Sequence, residues 1–450
     1  MNSARPLDPR GADWIEGLAY WTTRGAWSVV DQALFAISNL IINVLLARWL
    51  PTREYGAFVT AYVVLLLIGV AHSALLIEPM LVLGPSKYAG RFREYFPILL
   101  RFQWAFGAVA AALLLIVGAV HYALGEPLVG RTFLGLACAA PFIYLSWLAR
   151  RACYIERKPA LAALGGAIYL LIAGLGALLI DNLGLLTSMA AQLLMGVAAC
   201  AAAVVTLRKM VPSGTRLTTT LDMRVLWRDH WNFFRWSGPS GLLYFCQGLV
   251  FYLVLPLFAG LEATAALRAM TNFVMPVLQS DSALVTLIAT EMARARRDAH
   301  HMSRIVRWSK RLFALEGVVC WLVVAVFRHD LVRFAYGDQY IAYADLLLVL
   351  GALPLVASRV NILGAVLRVH RQVRMVFWAA VAATVASLLV GFASMATLGV
   401  YGAVTGMIVA DVVRIFVMAH FLARPVVTDL DDDHTLVGTR QSPRTLEVLQ

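Results

Sequence analysis

Long apolar runs constrain this chain more than any other feature. Stretches of about 20 residues with few charges recur along its 450 residues, and a helix needs about 20 apolar residues to cross a hydrocarbon core of roughly 30 Å. Charged residues make up 14% of the chain, against about 25% in soluble domains, so there is too little charge to cover a water-facing surface. The sequence therefore predicts an all-α membrane protein with about 12 transmembrane helices.

The predicted spans form two sets of six. The first set covers about 26–47, 57–80, 97–120, 131–149, 160–180 and 184–206, and the second covers about 237–258, 265–290, 311–328, 341–366, 376–396 and 400–422. We expect five regions: an N-terminal segment 1–25, a six-helix lobe 26–206, a basic linker 207–236, a six-helix lobe 237–423 and a tail 424–450. The tail has an acidic run and no apolar face, which is typical of disorder.

Basic residues lie mainly on one side of these spans. Of the 38 lysines and arginines, 30 fall in the two terminal segments and the even-numbered loops, five in the odd-numbered loops and three inside spans. Because basic loops stay in the cytoplasm, this bias predicts cytoplasmic termini. The net charge of +12 is explained by this topology, so we expect no nucleic-acid partner.

The two halves show a weak internal repeat. The segment PFIYLSWLARRACYIERKP at 141–159 aligns with PLVASRVNILGAVLRVHRQ at 354–372, an offset of 213 residues, and other pairs have offsets that rise along the chain from 208 to 215. With an even number of spans in each half, both halves enter the membrane from the same side. The repeat therefore predicts two lobes related by a pseudo-two-fold axis along the membrane normal, with a central cleft.

Polar residues recur at helical spacing in several spans. They are Arg24, Asp31 and Asn39 in and before span 1, Gln247 in span 7, and Arg268, Asn272 and Gln279 in span 8. Spacings of three and four place most of them on one stripe of their helix, as expected for a hydrated cleft that binds a substrate. The alternative is that the neutral members hydrogen-bond neighbouring helices and only hold the bundle together.

Charged groups inside spans are costly and need an explanation. Arg268 cannot lose its proton to become neutral, which favours contact with an anionic substrate, whereas Arg24 at a helix end could equally extend to the interface. Arg359 could contact substrate or pair with a carboxylate. Glu78 and Asp281 are the candidates for binding a coupling ion or proton.

The sequence shows no sign of catalysis. It lacks the glycine-rich phosphate loop of ATP-driven proteins, and its five cysteines and nine histidines show no metal-ligand spacing. We therefore expect no enzyme activity, no cofactor and no metal.

Three segments resemble the polysaccharide-transport branch of the multidrug/oligosaccharidyl-lipid/polysaccharide (MOP) superfamily. They are SVVDQALFAISNLIINVLLARWLPTREYGAF, LVRFAYGDQYIAYADLLLVLGALPL and LGVYGAVTGMIVADVVRIF. The resemblance implies a flippase of a bacterial cytoplasmic membrane that moves an undecaprenyl-pyrophosphate-linked oligosaccharide to the outer leaflet by alternating access. Lipid II flippases of this superfamily use arginines on their first and eighth helices, and Arg24 and Arg268 lie at comparable places. With twelve spans rather than fourteen, the chain looks more like an O-antigen or exopolysaccharide flippase.

The partners that this resemblance implies are the lipid-linked glycan, membrane lipids and polysaccharide polymerase or export machinery. Two alternatives stay open. A multidrug antiporter of the same superfamily would use carboxylates for organic cations, and a scaffold for polysaccharide assembly would transport nothing.

Overall fold

The computed structural model describes residues 12–210, 221–295, 298–370 and 372–423, and the side chains from residue 25 onward within these ranges except that of residue 299. These residues form helices and contain no strand. The helices are α1 (Ala12–Trp49), α2 (Thr52–His72), α3 (Glu78–Leu83), α4 (Phe92–Ala123), α5 (Pro127–Ile155), α6 (Pro159–Asn182), α7 (Ser188–Met210), α8 (Met223–Gly248), α9 (Val250–Arg294), α10 (Ala299–Val326), α11 (Arg328–Tyr336), α12 (Leu346–Leu350), α13 (Leu353–Val369), α14 (Val373–Leu398) and α15 (Val400–Ala423). A π-helical segment, Ser73–Ile77, joins α2 to α3.

The helices account for the predicted spans. Ten helical stretches of the described chain are long and apolar enough to cross a membrane, and a bent pair formed by α10 and α11, at 76°, makes an eleventh. One of the ten, Met223–Arg294, is 72 residues long and breaks at Gly260, where φ is 82°. It therefore contains two predicted spans, and each of the twelve predicted spans has a helical counterpart in a multi-pass membrane protein.

By its internal contacts the chain divides into two compact units. Unit 1 comprises Met1–Leu46 and Ile68–Gly238, and unit 2 comprises Ala47–Leu67 and Pro239–Gln450. The grouping of 47–67 differs from the predicted first lobe, 26–206, which includes that segment. Close packing explains it, because a Cβ atom on Gly56 would lie 2.1 Å from the carbonyl oxygen of Leu261. Only glycine allows the two backbones to approach so closely.

Small residues bring the helices of unit 1 together. In this unit α5 packs against both α4 and α7, and α6 packs against α7. A Cβ atom on Gly196 of α7 would lie 2.7 Å from both Cα and Cβ of Ala139 on α5, so the two helices touch through their backbones. Because lipid is as apolar as a helix surface, such close packing is a main source of helix association in membranes.

Unit 2 uses the same device between its last two helices. A Cβ atom on Gly406 of α15 would lie 2.8 Å from Cα of Gly391 on α14. Helix α13 packs against α9, α10 and α15 and contributes Ile362 and Val366 to a core cluster with Phe313 of α10. These contacts position α9, which carries the predicted site residues Arg268, Asn272, Gln279 and Asp281.

The second span carries Pro79 shortly after its π-helical segment. Proline has no backbone N–H, so it cannot bond the carbonyl four residues earlier, that of Leu75. In the structure the imidazole of His230 takes this place, with Nδ1 2.7 Å from the oxygen of Leu75. Its Nε2 lies 2.7 Å from the hydroxyl of Tyr95. Since the carbonyl can only accept, Nδ1 carries the proton and Nε2 accepts from the tyrosine.

Several helices are longer than the predicted spans. Helix α5 continues to Ile155, so Arg150 lies on a helix and not in the predicted loop. Helix α8 begins at Met223, inside the segment 207–236 that the sequence assigns to a linker. In both cases charged residues end the apolar run before the helix ends, because a helix can extend into the polar interface where charge costs little.

Candidate functional site

Tyrosine hydroxyls surround Arg268 in unit 2. The guanidinium hydrogen-bonds the hydroxyl groups of Tyr55 on α2 and Tyr252 on α9, and Tyr62 is its next ionisable neighbour. The three tyrosine side chains are buried, at 0, 9 and 3% exposure for Tyr55, Tyr62 and Tyr252, while Arg268 keeps part of its surface accessible. The arrangement fixes a permanent cation with neutral partners deep in the unit.

Asn272 extends this cluster by one helical turn. It is buried, and its Nδ2 lies 3.3 Å from the hydroxyl of Tyr336, which itself donates to the carbonyl of Ala269 at 2.9 Å. Asn272 also hydrogen-bonds Tyr55, so it links the tyrosines around Arg268. We call Arg268, Asn272, Tyr55, Tyr252 and Tyr336 the arginine cluster.

The other predicted residues of unit 2 lie outside the arginine cluster. Gln247 on α8 is buried and donates from Nε2 to the carbonyl of Ala380 and the hydroxyl of Thr384, both at 2.9 Å. It therefore joins α8 to α14, as the alternative role for neutral polar residues requires. Gln279 and Arg359 are exposed, and their assignment to substrate binding stays a prediction.

Asp281 forms a carboxyl pair with Glu316. Asp281 on α9 is 1% exposed, and it hydrogen-bonds Glu316 on α10. Ser280 donates to Oε1 of Glu316 at 2.5 Å, while Oδ1 of Asp281 is buried and has no hydrogen-bond partner among the described residues. Two carboxyl groups in contact repel each other unless one carries a proton. The pair is therefore suited to hold and release a proton.

Asp31 lies in a buried ion pair of unit 1. Nε of Arg150 is 2.8 Å from Oδ1 of Asp31, whose side chain has 0% exposure, and Tyr154 donates to the other carboxylate oxygen. The guanidinium also lies over the ring of Phe35 at 4.3 Å. The carboxylate thus holds Arg150 in position, and these contacts join α1 to α5.

The remaining predicted residues of unit 1 differ in their hydrogen-bond partners and do not form one cluster. Asn39 is partly buried and donates to the carbonyl of Phe35 on its own helix at 2.9 Å. Glu78, the first residue of α3, is partly buried and accepts a hydrogen bond from Ser237. Arg24 lies on α1, but its side chain is outside the part of the chain that the structure describes.

Sequence reasoning missed the partners of the charged residues. Tyr55 and Tyr336 lie in two of the segments that resemble the MOP superfamily, which is the signal that could have found them. The predicted span 131–149 leaves Arg150 in a loop, and the sequence carries no signal that pairs Glu316 with Asp281. In the described residues no group of three or more histidine, cysteine, aspartate and glutamate side chains could hold a metal ion.

The fold is similar to that of MOP-superfamily transporters. An inward-facing multidrug resistance MATE family transporter of the MOP superfamily is 14% identical, has a TM-score of 0.70, and is matched over 87% of this chain and 96% of that chain. The lipid II flippase MurJ, in an inward closed conformation, is 10% identical, with a TM-score of 0.70 and coverage of 88% of this chain and 87% of that chain.

A third similar structure is a MOP superfamily transporter from Pyrococcus furiosus described as having a binding pocket of reverse polarity. It is 13% identical, with a TM-score of 0.58 and coverage of 87% of this chain and 92% of that chain. No protein-family model and no curated protein matches the sequence. At these identities the likeness establishes the fold, two lobes of membrane helices as in these transporters.

Proposed function

We propose that this protein is a flippase that moves an undecaprenyl-pyrophosphate-linked oligosaccharide from the cytoplasmic to the outer leaflet of a bacterial cytoplasmic membrane by alternating access. Both termini are cytoplasmic, and the exported glycan passes to surface polysaccharide polymerase or export machinery. The similar fold of a lipid II flippase supports this proposal, as do the sequence segments that resemble polysaccharide transporters.

The observation that carries the proposal is the arginine cluster. Arg268 lies well inside a membrane-spanning helix and is held by hydroxyl groups that are neutral at pH 7. These hydroxyl groups orient the guanidinium and add no negative charge of their own. An arginine so fixed can bind a phosphate through two parallel hydrogen bonds, and the pyrophosphate is the charged part of the proposed substrate.

The second candidate function is a multidrug antiporter, because a MATE transporter shares the fold. Organic cations would be bound by carboxylates. Among the predicted substrate-binding residues the one carboxylate is Asp31, and it is bonded to Arg150, so its charge is already balanced. The fixed cation at Arg268 therefore favours an anionic substrate over a cationic one.

For coupling we propose that the Asp281–Glu316 pair exchanges a proton during the transport cycle, with Glu78 as a further candidate. The two carboxyl groups touch inside unit 2. Asp281 lies 13 residues after Arg268 on α9, about 20 Å along the helix axis. The pair is thus separate from the arginine cluster, so protonation and substrate binding use different residues.

The test replaces Arg268 in the source strain. Arg268→Ala should insert at normal abundance but lower surface glycan by about 10- to 100-fold, because a hydrogen bond to a charged group contributes about 1.5–3 kcal/mol. Arg268→Lys should restore part of the export, since lysine keeps the charge but lacks the planar fork. Surface glycan is measured by staining, and the lipid-linked oligosaccharide that accumulates is measured by mass spectrometry.

Arg333→Ala is the matched control. Arg333 is exposed and pairs with Asp338, so its removal should leave export unchanged. Full surface glycan from a normally abundant Arg268→Ala protein would refute the proposed site. If Arg268 served only to hold Tyr55 and Tyr252 in place, the alanine variant would lose abundance together with export.

A further inference from the structure

A groove runs between α9 and α10 on the surface of unit 2. It has a volume of about 700 Å³ and is lined by Leu287 and Ile288 of α9 and by Ile305, Trp308 and Leu312 of α10. Three of these side chains are largely exposed, at 66% for Leu287, 67% for Trp308 and 47% for Leu312. Ile288 and Ile305 pack against the core cluster behind the groove. These residues therefore give the groove an apolar lining.

The floor of the groove exposes no unsatisfied polar group. Ser309 is buried there, and its hydroxyl donates to the carbonyl of Ile305 at 2.8 Å. Because this hydroxyl is already hydrogen-bonded to its own helix, it can face lipid without an unsatisfied polar group. The small side chain leaves room that a larger residue would fill.

One end of the groove is positively charged. Arg304 belongs to the lining and is exposed, as are Arg307 and Arg311 on the same helix. The one carboxylate of the lining, Glu291, pairs with Arg294 at 2.5 Å, so it leaves the charge of Arg304 in place. An apolar groove with a cationic end is complementary to a lipid with a hydrocarbon chain and an anionic phosphate head.

We infer that this groove binds the hydrocarbon chain of a polyprenyl phosphate lipid, with Arg304 contacting its phosphate. The inference rests on the proposed function, because that function supplies the polyprenyl carrier as a ligand in the same membrane. The groove holds the hydrocarbon chain, and Arg304 at its charged end contacts the phosphate of the same lipid. It is separate from the arginine cluster, because Arg268 precedes Glu291 on α9 by about 35 Å along the helix axis.

The experiment uses photo-crosslinking in vesicles. A benzophenone amino acid replaces Leu312, and a matched variant carries it at Leu322, which lies on the same helix outside the groove lining and is equally exposed, at 48% against 47%. The full-length protein is reconstituted in phosphatidylethanolamine and phosphatidylglycerol with undecaprenyl phosphate as the probe. Mass spectrometry identifies the lipid attached after illumination. A probe at Leu287 gives a second position on the opposite wall.

We expect undecaprenyl phosphate adducts at positions 312 and 287 and mainly phospholipid adducts at 322. Arg304→Gln should lower the undecaprenyl adduct at 312 by about fivefold, the effect of one basic contact near the membrane surface, and undecaprenol without phosphate should behave like that variant. Equal adduct ratios at 312 and 322 would overturn the inference. If that result came with loss of glycan export in Arg268→Ala, only the groove assignment would fail; full export in Arg268→Ala would refute the proposed function itself.

Discussion

At the scale of single residues, the sequence located charged groups but could not show which side chains hold them in position. Arg268 is a cation on a polar stripe, and its partners Tyr55 and Tyr252 are aromatic residues that resemble ordinary core residues in sequence. Asp31 likewise lies on a polar stripe of its helix, yet it forms an ion pair with Arg150. Burial of a charge is visible in a sequence, whereas its compensation depends on side chains far away along the chain.

The carboxyl pair makes a prediction that does not depend on the substrate. At pH 7 the purified protein should show the infrared band of a protonated carboxyl group, because Asp281 and Glu316 in contact can carry only one negative charge at low cost. Asp281→Asn should remove this band, since the amide can donate to Glu316 and the repulsion between two carboxylates is gone.

Glu262→Gln is the control for that experiment, since Glu262 lies on the same helix and is exposed. Its replacement should leave the band unchanged. A wild-type protein without the band, or a band that persists in Asp281→Asn, would show that the pair does not hold a proton.

At the scale of helices, the apolar runs predicted every span, but not where the helices end. Hydropathy marks the part of a helix that lies in hydrocarbon, and both α5 and α8 extend past it into charged sequence. The break at Gly260 inside the longest helical stretch depends on one positive φ angle, which glycine adopts readily but does not require. The contact of Gly56 with Leu261 was equally hidden.

Helix packing in unit 1 can be tested at Gly196. Gly196→Ala should lower the free energy of unfolding by about 1–3 kcal/mol, because the added methyl group overpacks the contact with Ala139. Gly174→Ala on α6 is the matched control, since a Cβ atom there meets nothing within 4 Å, and alanine favours a helix by about 0.5–1 kcal/mol over glycine. Thermal unfolding in detergent measures both; equal midpoints for the two variants would contradict the close α5–α7 contact.

At the scale of the whole molecule, the sequence predicted a polytopic membrane protein of two lobes, and the fold likeness to MOP-superfamily transporters confirms that class. The likeness in fold does not identify the transported molecule. One fold serves a multidrug transporter and a lipid II flippase, so function depends on a few side chains on shared helices. The glycan itself has no signature in the chain, because neutral hydrogen-bonding groups suit many sugars.

For the whole molecule we predict its orientation in the membrane, with the basic loops and both termini in the cytoplasm. In a cysteine-free variant of the protein, a single cysteine at Asp338 should react with a membrane-impermeant thiol reagent in intact cells, whereas one at His300 should react only after the cells are opened. Asp338 and His300 are both exposed, so accessibility of the side chain does not bias the comparison. The reverse pattern would place the termini outside the cytoplasm.

Pro79 in the second span predicts that residues 79 and 230 covary among related chains. His230 supplies the donor that the proline lacks, and it does so for the carbonyl of Leu75. A related chain with an ordinary residue at position 79 would satisfy that carbonyl from within its own helix, and a histidine at position 230 would then lose its acceptor. Substitutions at these two sites should therefore occur together. The covariation between residues 151 positions apart would have one physical cause, the backbone N–H that proline lacks.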